Sequence, residues 1–331
     1  METRKLISFG SSSYVISIPK AWVEENKLGK GSSIFINELP GELVISPTNI
    51  DQKKTKEKQI DGANKTIDIL RIEIIAHYLN YYDTIEIRNL KEDQIANVKL
   101  VIKELAGMEI IEQTANKIIA KDLINIKEVS IKTLIRRIDI IVRSMIDDLI
   151  SVIGKKDCEK MQEILFQRDR DVNRLYFLVR RVTTAALEDP RIAKMFETNP
   201  LELVSDWEIV LELEKIGDVL KRITRCLSAT QTKTQIEELE KIIPKLKQKY
   251  LEMLKAYYLH DVKVAYSMEE DCKQLIKSYG LLLELFKAKF QEKTHNDEHV
   301  GIVGALEQCK EMARSIRKIA RSLIMTSPNL P

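Results

Sequence analysis

The feature that most constrains the fold is a change of pattern at residue 130. Beyond this point strand patterns disappear, and apolar residues recur at intervals of three and four. That interval matches the 3.6-residue period of a helix with one buried face. It predicts six helices, over residues 130–153, 157–188, 201–228, 235–260, 264–290 and 300–325. The larger part of the chain is therefore expected to be mainly α, built from packed helices.

The six predicted helices form two successive sets of three. Each set ends in a helix that carries two carboxylates four residues apart, which indicates a weak internal repeat of about 95 residues. We therefore expect two three-helix bundles, the first over residues 130–228 and the second over 235–325. Pro244 is expected to kink the fourth helix or to mark its start, because proline lacks the backbone N–H that a helix interior needs.

The first 47 residues are of a different kind. Short apolar runs alternate with glycine and proline turns, which predicts four short strands and one short helix. The predicted strands cover residues 5–9, 14–18, 33–36 and 43–45, and the helix covers 21–26. So small a unit can hardly bury a core by itself, and we expect it to pair with a second copy.

Two further segments separate this unit from the helices. Residues 48–59 are polar and lysine-rich, which predicts a linker. Residues 60–128 mix helical and alternating patterns, and we interpret them as a small α+β unit. Within it, helices are predicted at 67–79 and 92–105 and strands at 84–88, 108–114 and 117–123.

Composition excludes several classes of protein. The 53 Lys and Arg balance 50 Asp and Glu, and only 11 Gly and 8 Pro are present, which excludes a collagen-like or low-complexity chain. No run approaches 18 uncharged apolar residues, so no membrane insertion is expected. The first residues lack the apolar core of a signal peptide, which favours a cytoplasmic location. No phosphate-binding loop, H-E-x-x-H motif or Ser/His/Asp set is found, so we do not expect an enzyme.

Carboxylate pairs are the candidate sites within the helices. Glu214 and Asp218 are four residues apart, which places both on one helix face, and Glu307 and Glu311 repeat this spacing. Asp169, on the neighbouring predicted helix, could close the first site. Like charges so close need neutralisation, either by a basic side chain such as Arg222 or by a metal ion held between two helices. Spacing alone favours the salt bridge, because helices contain many such pairs.

The sequence around the first pair resembles a known family. L-E-K-I-G-D at 213–218, after A-L-E-D-P at 186–190, is similar to the PhoU family of phosphate-uptake regulators. That family consists of two repeats of a three-helix bundle, with an E-x-x-x-D pair on the third helix of each and an acidic pair on the second. Some members bind multinuclear iron or zinc clusters through these carboxylates.

The resemblance implies a set of metal ligands in this chain. The ion would be iron, zinc or magnesium, held by Asp169, Glu214, Asp218, Glu307 and Glu311. The pattern departs from the family at two places on the second helices of the repeats. Asn173 stands where the family has an aspartate, and Lys273 replaces an acid in the second repeat.

The first 47 residues resemble a DNA-binding domain. R-K-L at 4–6, V-I-S-I-P-K at 15–20 and K-G-S at 30–32 are similar to the AbrB/SpoVT/MazE type. That family forms a swapped-hairpin dimer and lays basic and polar residues of its first strands on DNA. By position, the resemblance implies DNA contacts from Arg4, Lys5, Ser11, Ser12, Ser17 and Lys20. Composition does not support this independently, because residues 1–47 hold five basic and five acidic side chains.

The order of the domains leads to two hypotheses of function. An AbrB-like unit, a small α+β unit and PhoU-like bundles together resemble archaeal phosphate-uptake regulators. The first hypothesis is a homodimeric, non-enzymatic transcriptional regulator of phosphate homeostasis that binds double-stranded DNA and senses through its bundles. The alternative is a PhoU-like adaptor that docks on a phosphate-transport ATPase or a regulatory protein such as a sensor kinase, with the N-terminal domain only a dimeriser.

Overall fold

A computed structural model describes residues 3–39, 41–47, 55–155, 158–196, 198–227, 232–291 and 298–327. The chain divides into two compact units, residues 1–54 and 55–331. We call the first the N-terminal unit, and each unit is described by itself.

The N-terminal unit contains two antiparallel hairpins with a short helix between them. Its elements are β1 (Ile7–Phe9), β2 (Ser13–Val15), α1 (Lys20–Glu25), β3 (Phe35–Leu39) and β4 (Glu42–Ser46). Strand β1 pairs with β2, and β3 pairs with β4. The four strands and the helix lie where the sequence predicts them. The turn after β1 uses Gly10 at a φ of 71°, in the left-handed region that favours glycine.

The part of the N-terminal unit that the structure describes forms no buried core. Among residues 3–36, 38 and 41–47, none is buried. The large apolar side chains of its first hairpin lie open, with Phe9 exposed by 71% and Tyr14 by 72%. An isolated β unit of this kind is at best marginally stable in water.

Residues 55–128 form a sheet covered by two helices, which we call the α+β layer. Its elements are β5 (Glu57–Asp61), α2 (Ile67–Leu79), β6 (Thr84–Arg88), α3 (Glu92–Lys103), β7 (Met108–Gln113) and β8 (Ile118–Asp122). The strand order is β5-β6-β8-β7, in which β5 and β6 are parallel and the other pairs antiparallel. Helix α2 makes the crossover that a parallel pair requires. Leu70, Ile74, Ile85 and Ile87 are fully buried in the core of this layer.

The first strand of the layer differs from the sequence prediction. Strand β5 begins at Glu57, so it includes the last three residues of the segment 48–59, for which a linker is predicted. Four of its five residues are polar or charged, and only Ile60 is buried. Pairing with β6 therefore stabilises this strand, and its own sequence lacks the alternation of apolar residues that would predict a strand. Residues 48–54 lie outside the described part of the chain.

The rest of the second unit is helical. It consists of α4 (Ile131–Val152), α5 (Cys158–Glu188), α6 (Pro190–Met195), α7 (Pro200–Leu227), α8 (Lys233–Leu259), α9 (Val262–Gln291) and α10 (Glu298–Thr326). The six predicted helices are confirmed to within a few residues at each end, whereas the short α6 is not predicted. Pro244 lies inside α8, so it does not mark the start of that helix.

The long helices pack as two three-helix bundles, as predicted. Helices α4, α5 and α7 form the first bundle, and α8, α9 and α10 form the second. The bundles meet where α7 packs on α10 and α4 on α8. The apolar stripe that predicted helix α7 is buried along its length, from Leu213 to Leu227. No helix within the described ranges is long and apolar enough to cross a bilayer.

A buried arginine attaches the α+β layer to the first bundle. Arg181 of α5 is 2% exposed and donates to Asp122 Oδ2 at 2.6 Å and to the Tyr82 carbonyl oxygen at 3.1 Å. It also donates to the carbonyl oxygen of Tyr78. Its guanidinium lies over the rings of Tyr78 and Tyr81, at 4.6 and 4.5 Å from the ring centres. Three of its N–H donors are thus directed into protein rather than water.

Two buried aspartates attach α8 to the first bundle. Asp139 of α4 accepts from the hydroxyl groups of Tyr250 at 2.7 Å and Tyr258 at 2.9 Å, and from the guanidinium of Arg143. Asp206 of α7 accepts from Tyr257 at 2.7 Å and from Lys132 at 2.7 Å. Three tyrosines of one helix are therefore fixed by acids of two others.

Candidate functional site

The predicted DNA-contacting residues surround the first hairpin of the N-terminal unit. Arg4 and Lys5 directly precede β1, Ser11 and Ser12 form the turn between β1 and β2, and Ser17 follows β2. Lys20 is the first residue of α1 and lies 3.5 Å from Glu24. All six side chains are exposed.

The hairpin spreads these residues over both of its ends. Ile7 pairs with Val15 and Phe9 with Ser13, so the same register places Lys5 across from Ser17 at the open end. Ser11 lies at the other end, about 20 Å away along an extended strand. The five predicted residues next to the hairpin therefore follow a line along it rather than one cluster, and Lys20 lies beyond it in α1. A line of this length matches several successive phosphates of a duplex.

The candidate site of the bundles is a group of side chains between α5 and α7, which we call the carboxylate cluster. It contains Asp169 of α5 and Glu214 and Asp218 of α7, of which spacing placed the last two on one helix face. Between two of these acids lies Lys221, whose Nζ is 2.6 Å from Asp169 Oδ2 and 2.7 Å from Asp218 Oδ1. Arg222, the neutralising residue favoured from sequence, reaches only Asp218, at 3.2 Å.

Lys221 is the residue of this cluster that sequence reasoning underestimated. It stands three residues after Asp218, on the same helix face, so its pairing with Asp218 could have been found from spacing. Its bond to Asp169 depends on how α5 packs on α7, which spacing does not contain. The side chain is only 15% exposed, so this ion pair is screened less than one on the surface.

The cluster raises the pKa values of Glu214, Asp169 and Lys221, for different physical reasons. Burial, together with the nearby Asp218 and Asp169, raises the pKa of Glu214 to about 7. Burial also raises the pKa of Asp169, against the opposing effect of Lys221. For Lys221 itself burial would lower the pKa, but hydrogen bonds to Asp169 and Asp218 outweigh it and raise the pKa. Near neutral pH, Glu214 is therefore the member that exchanges a proton.

In this arrangement a lysine neutralises two of the carboxylates. Lys221 holds the position between Asp169 and Asp218 that a cation would take. No group of three or more His, Cys, Asp or Glu side chains that could hold a metal is found among the described residues. Metal binding at these carboxylates stays a prediction.

The two acids of the second predicted pair contact basic side chains on the surface of the second bundle. Glu307 is 3.7 Å from Lys287, and Glu311 pairs with Arg314; both are more than 45% exposed. The carboxylate at the position equivalent to Asp169 is Glu269, which accepts from Arg317 at 2.8 Å and Arg321 at 2.7 Å. In the second bundle Glu307 therefore shares Lys287 with Glu284, whereas Glu311 and Glu269 pair with arginines.

We expect the raised pKa of Glu214 to make stability depend on pH. The folded state prefers the neutral carboxyl, since the pKa is about 7 against an ordinary 4.5. The contribution of Glu214 to the free energy of unfolding is therefore fully present below about pH 4.5 and is lost as pH rises through 7. Between pH 5 and 8 the loss amounts to about 2 kcal/mol. Glu214→Gln should abolish that part of the slope in urea unfolding measured at pH 5, 6, 7 and 8.

Glu307→Gln is the matched control for this measurement. It occupies the corresponding position of the second bundle, but its side chain is 55% exposed. Its pH slope should equal that of the unaltered chain. A Glu214→Gln variant that keeps the full slope would contradict the assignment.

Comparison with known proteins agrees with this division of the chain. Residues 135–227 match the family described as PhoU domain, and residues 7–53 match the family described as antidote-toxin recognition MazE, bacterial antitoxin. The chain thus carries a PhoU domain and a MazE/AbrB-like domain at its N-terminus, as predicted. No protein of curated function matches the chain.

A solved structure shares the helical fold. The crystal structure of PhoU from Pseudomonas aeruginosa matches with a TM-score of 0.53 at 17% sequence identity. The match covers 59% of this chain and 94% of that one. The similarity extends over nearly the whole PhoU structure and supports the predicted fold of paired three-helix bundles.

Proposed function

We propose that this chain is a dimeric, non-enzymatic, cytoplasmic regulator of phosphate uptake that binds double-stranded DNA through its N-terminal unit. The observation that carries this proposal is the joining of a MazE/AbrB-like domain to a PhoU domain in one chain. The MazE/AbrB-like domain would supply the surface that contacts DNA. The PhoU domain would supply the connection to phosphate uptake. The helical bundles would receive the signal and pass it to the N-terminal unit.

The exposure of the N-terminal unit supports a dimer. Its hairpins present Leu6, Phe9, Tyr14 and Leu43 at 67% exposure or more, and none of its described residues with a defined exposure is buried. Apolar patches of this kind mark protein interfaces. A second copy would bury them and would bring two sets of Arg4, Lys5 and Lys20 to one assembly.

One observation favours the adaptor instead. Residues 1–47 contain as many acidic as basic side chains, so the unit has no net positive field. In the adaptor, the N-terminal unit would only dimerise the chain, and the bundles would dock on a phosphate-transport ATPase or a regulatory protein. The MazE family description, which names an antitoxin, also allows a protein partner for this unit.

DNA binding by the full chain separates the two functions. We expect the full chain to bind a labelled duplex of unrelated sequence at low salt, measured by fluorescence anisotropy. Lys20→Ala should flatten the slope of log K against log salt by about 2, because a dimer loses two phosphate contacts worth about 0.9 each. The loss should be alike for different sequences, since phosphate contacts carry no base readout.

Two controls accompany this measurement. Lys233→Ala removes the same charge from a side chain that is 92% exposed at the start of α8, and it should leave the slope unchanged. A chain without residues 1–54 should bind no DNA and should show the mass of a monomer in light scattering. DNA binding that survives this deletion would contradict the proposal. A full chain that dimerises but ignores DNA would favour the adaptor.

A further inference from the structure

A basic cavity lies between the first turns of α4 and the last turns of α8. Its volume is about 530 Å³, within the range of small-molecule pockets. Lys132, Arg136 and Arg137 line one side, and Tyr257, Tyr258 and His260 line the other. None of the residues that line it is acidic.

Two of its cations have no carboxylate partner. Arg136 and Arg137 form no ion pair within the described part of the chain, although both side chains are exposed and carry full charge. The third, Lys132, bonds to Asp206 at 2.7 Å. Two cations without counter-charges that line one cavity attract an anion into it.

The aromatic wall holds these cations in place. The Arg136 guanidinium lies 5.0 Å above the centre of the Tyr258 ring, and Lys132 Nζ lies 5.5 Å above that of Tyr257. The rings are themselves fixed, because Tyr258 donates to Asp139 and Tyr257 to Asp206. Cations positioned before a ligand arrives lose little freedom on binding it.

The two acids next to the cavity neutralise one of its three cations and leave Arg136 and Arg137 without a counter-charge. Asp139 is saturated by Arg143, Tyr250 and Tyr258. Asp206 Oδ1 accepts from both Lys132 and Tyr257, so its charge is offset by Lys132. The N-terminal end of α4, where the helix dipole is positive, also lies at the cavity, since Thr133 in its first turn is part of the lining.

We propose that this cavity binds a diphosphate group, either as free pyrophosphate or as part of a nucleoside diphosphate. Guanidinium groups bind phosphate oxygens by paired hydrogen bonds, and two adjacent arginines can each take one phosphoryl group. The volume exceeds what a single phosphate needs and leaves room beside Ile140 and the tyrosine rings for a nucleoside. The proposal does not depend on DNA binding, and its test contains no DNA.

Isothermal titration of the full chain at low salt, without divalent cations, tests the proposal. Pyrophosphate should bind at least about 10-fold more tightly than sulfate. ADP is then titrated in the same way. If ADP binds more tightly than pyrophosphate, the ligand is a nucleoside diphosphate; if it binds equally or more weakly, the ligand is the free pyrophosphate anion. Pyrophosphate that binds no better than sulfate would overturn the proposal.

Paired variants separate a specific site from general charge. The double change R136Q/R137Q should weaken pyrophosphate binding at least about 10-fold. The control R170Q/R174Q removes two exposed arginines of α5, the same total charge, and should leave binding unchanged. Equal weakening by both doubles would overturn the site. Should R136Q/R137Q melt at a lower temperature, the single Arg137→Gln on the helix surface provides the same comparison, with at least about 3-fold weakening expected.

Discussion

Replacing Arg181 with methionine is expected to lower the free energy of unfolding by about 3–5 kcal/mol. The side chain is 2% exposed, and its partner Asp122 is 6% exposed. Methionine fills much of the same space, so the loss arises mainly from the charge left behind. Asp122 would stay buried without its cation, and the carbonyl oxygens of Tyr78 and Tyr82 would lose their donor.

The loss should concentrate in the α+β layer. Arg181 bonds only to that layer from α5, so hydrogen exchange should accelerate across residues 55–128 more than in the bundles. Arg180→Met is the matched control on the same helix. Arg180 is exposed and lies 5.5 Å over the Trp207 ring, a contact worth about 1 kcal/mol or less.

A second variant separates the charge from the packing. In R181M/D122N the buried acid is also neutralised, while the acceptor for the Ile124 backbone N–H is kept. This double variant should recover part of the stability that R181M loses, because no uncompensated charge remains. A loss below about 1 kcal/mol for R181M would show that water reaches Asp122 and would contradict its burial.

Asp139→Ala is expected to cost about 3 kcal/mol in urea unfolding. Its carboxylate accepts from three side chains, of which Tyr250 is fully buried. Burial and Asp139 raise the pKa of Tyr250 well above its ordinary value, so the tyrosine stays a donor that needs an acceptor. Removing the acid leaves this hydroxyl and the Arg143 guanidinium without a partner.

Asp147→Ala is the control that shares both helices. Asp147 also joins α4 to α8, through Lys247, but it is 57% exposed. Surface pairs of this kind contribute about 0.2–1 kcal/mol, so its loss should be small. Tyr250→Phe made in the Asp139→Ala background should cost little more, because both partners are then absent. Additive losses would mean that the two groups do not act together.

The fold was largely predictable because burial imposes a period on the sequence. The stripe from Leu213 to Leu227 identifies α7, and the same kind of pattern identifies the other long helices. Strand β5 escaped because Ile60 is its only buried residue, so its formation depends on a neighbour far along the chain. Helix α6 is too short for any period to emerge.

The candidate sites were predictable only in part. Spacing correctly places Glu214 and Asp218 on one face, but it cannot place Lys221 between Asp218 and an acid of another helix. The basic cavity joins Arg136 to His260, which are more than a hundred positions apart, and no local pattern links them. Arg181 likewise gave no signal, because an arginine on a helix is ordinarily solvated.

Lys221 has a further consequence for the first bundle. A cation that is part of the chain is present at an effective concentration set by its tether, which far exceeds that of any ion in solution. The ion pairs of Lys221 between α5 and α7 therefore need no ion from solution, and no chelator can remove them. Only a change of the proton count on neighbouring carboxyls, or a stronger cation that expels the ammonium, can loosen this pair. The carboxylate cluster therefore does not respond to changes in metal-ion concentration in the way that a site with a loosely bound ion would.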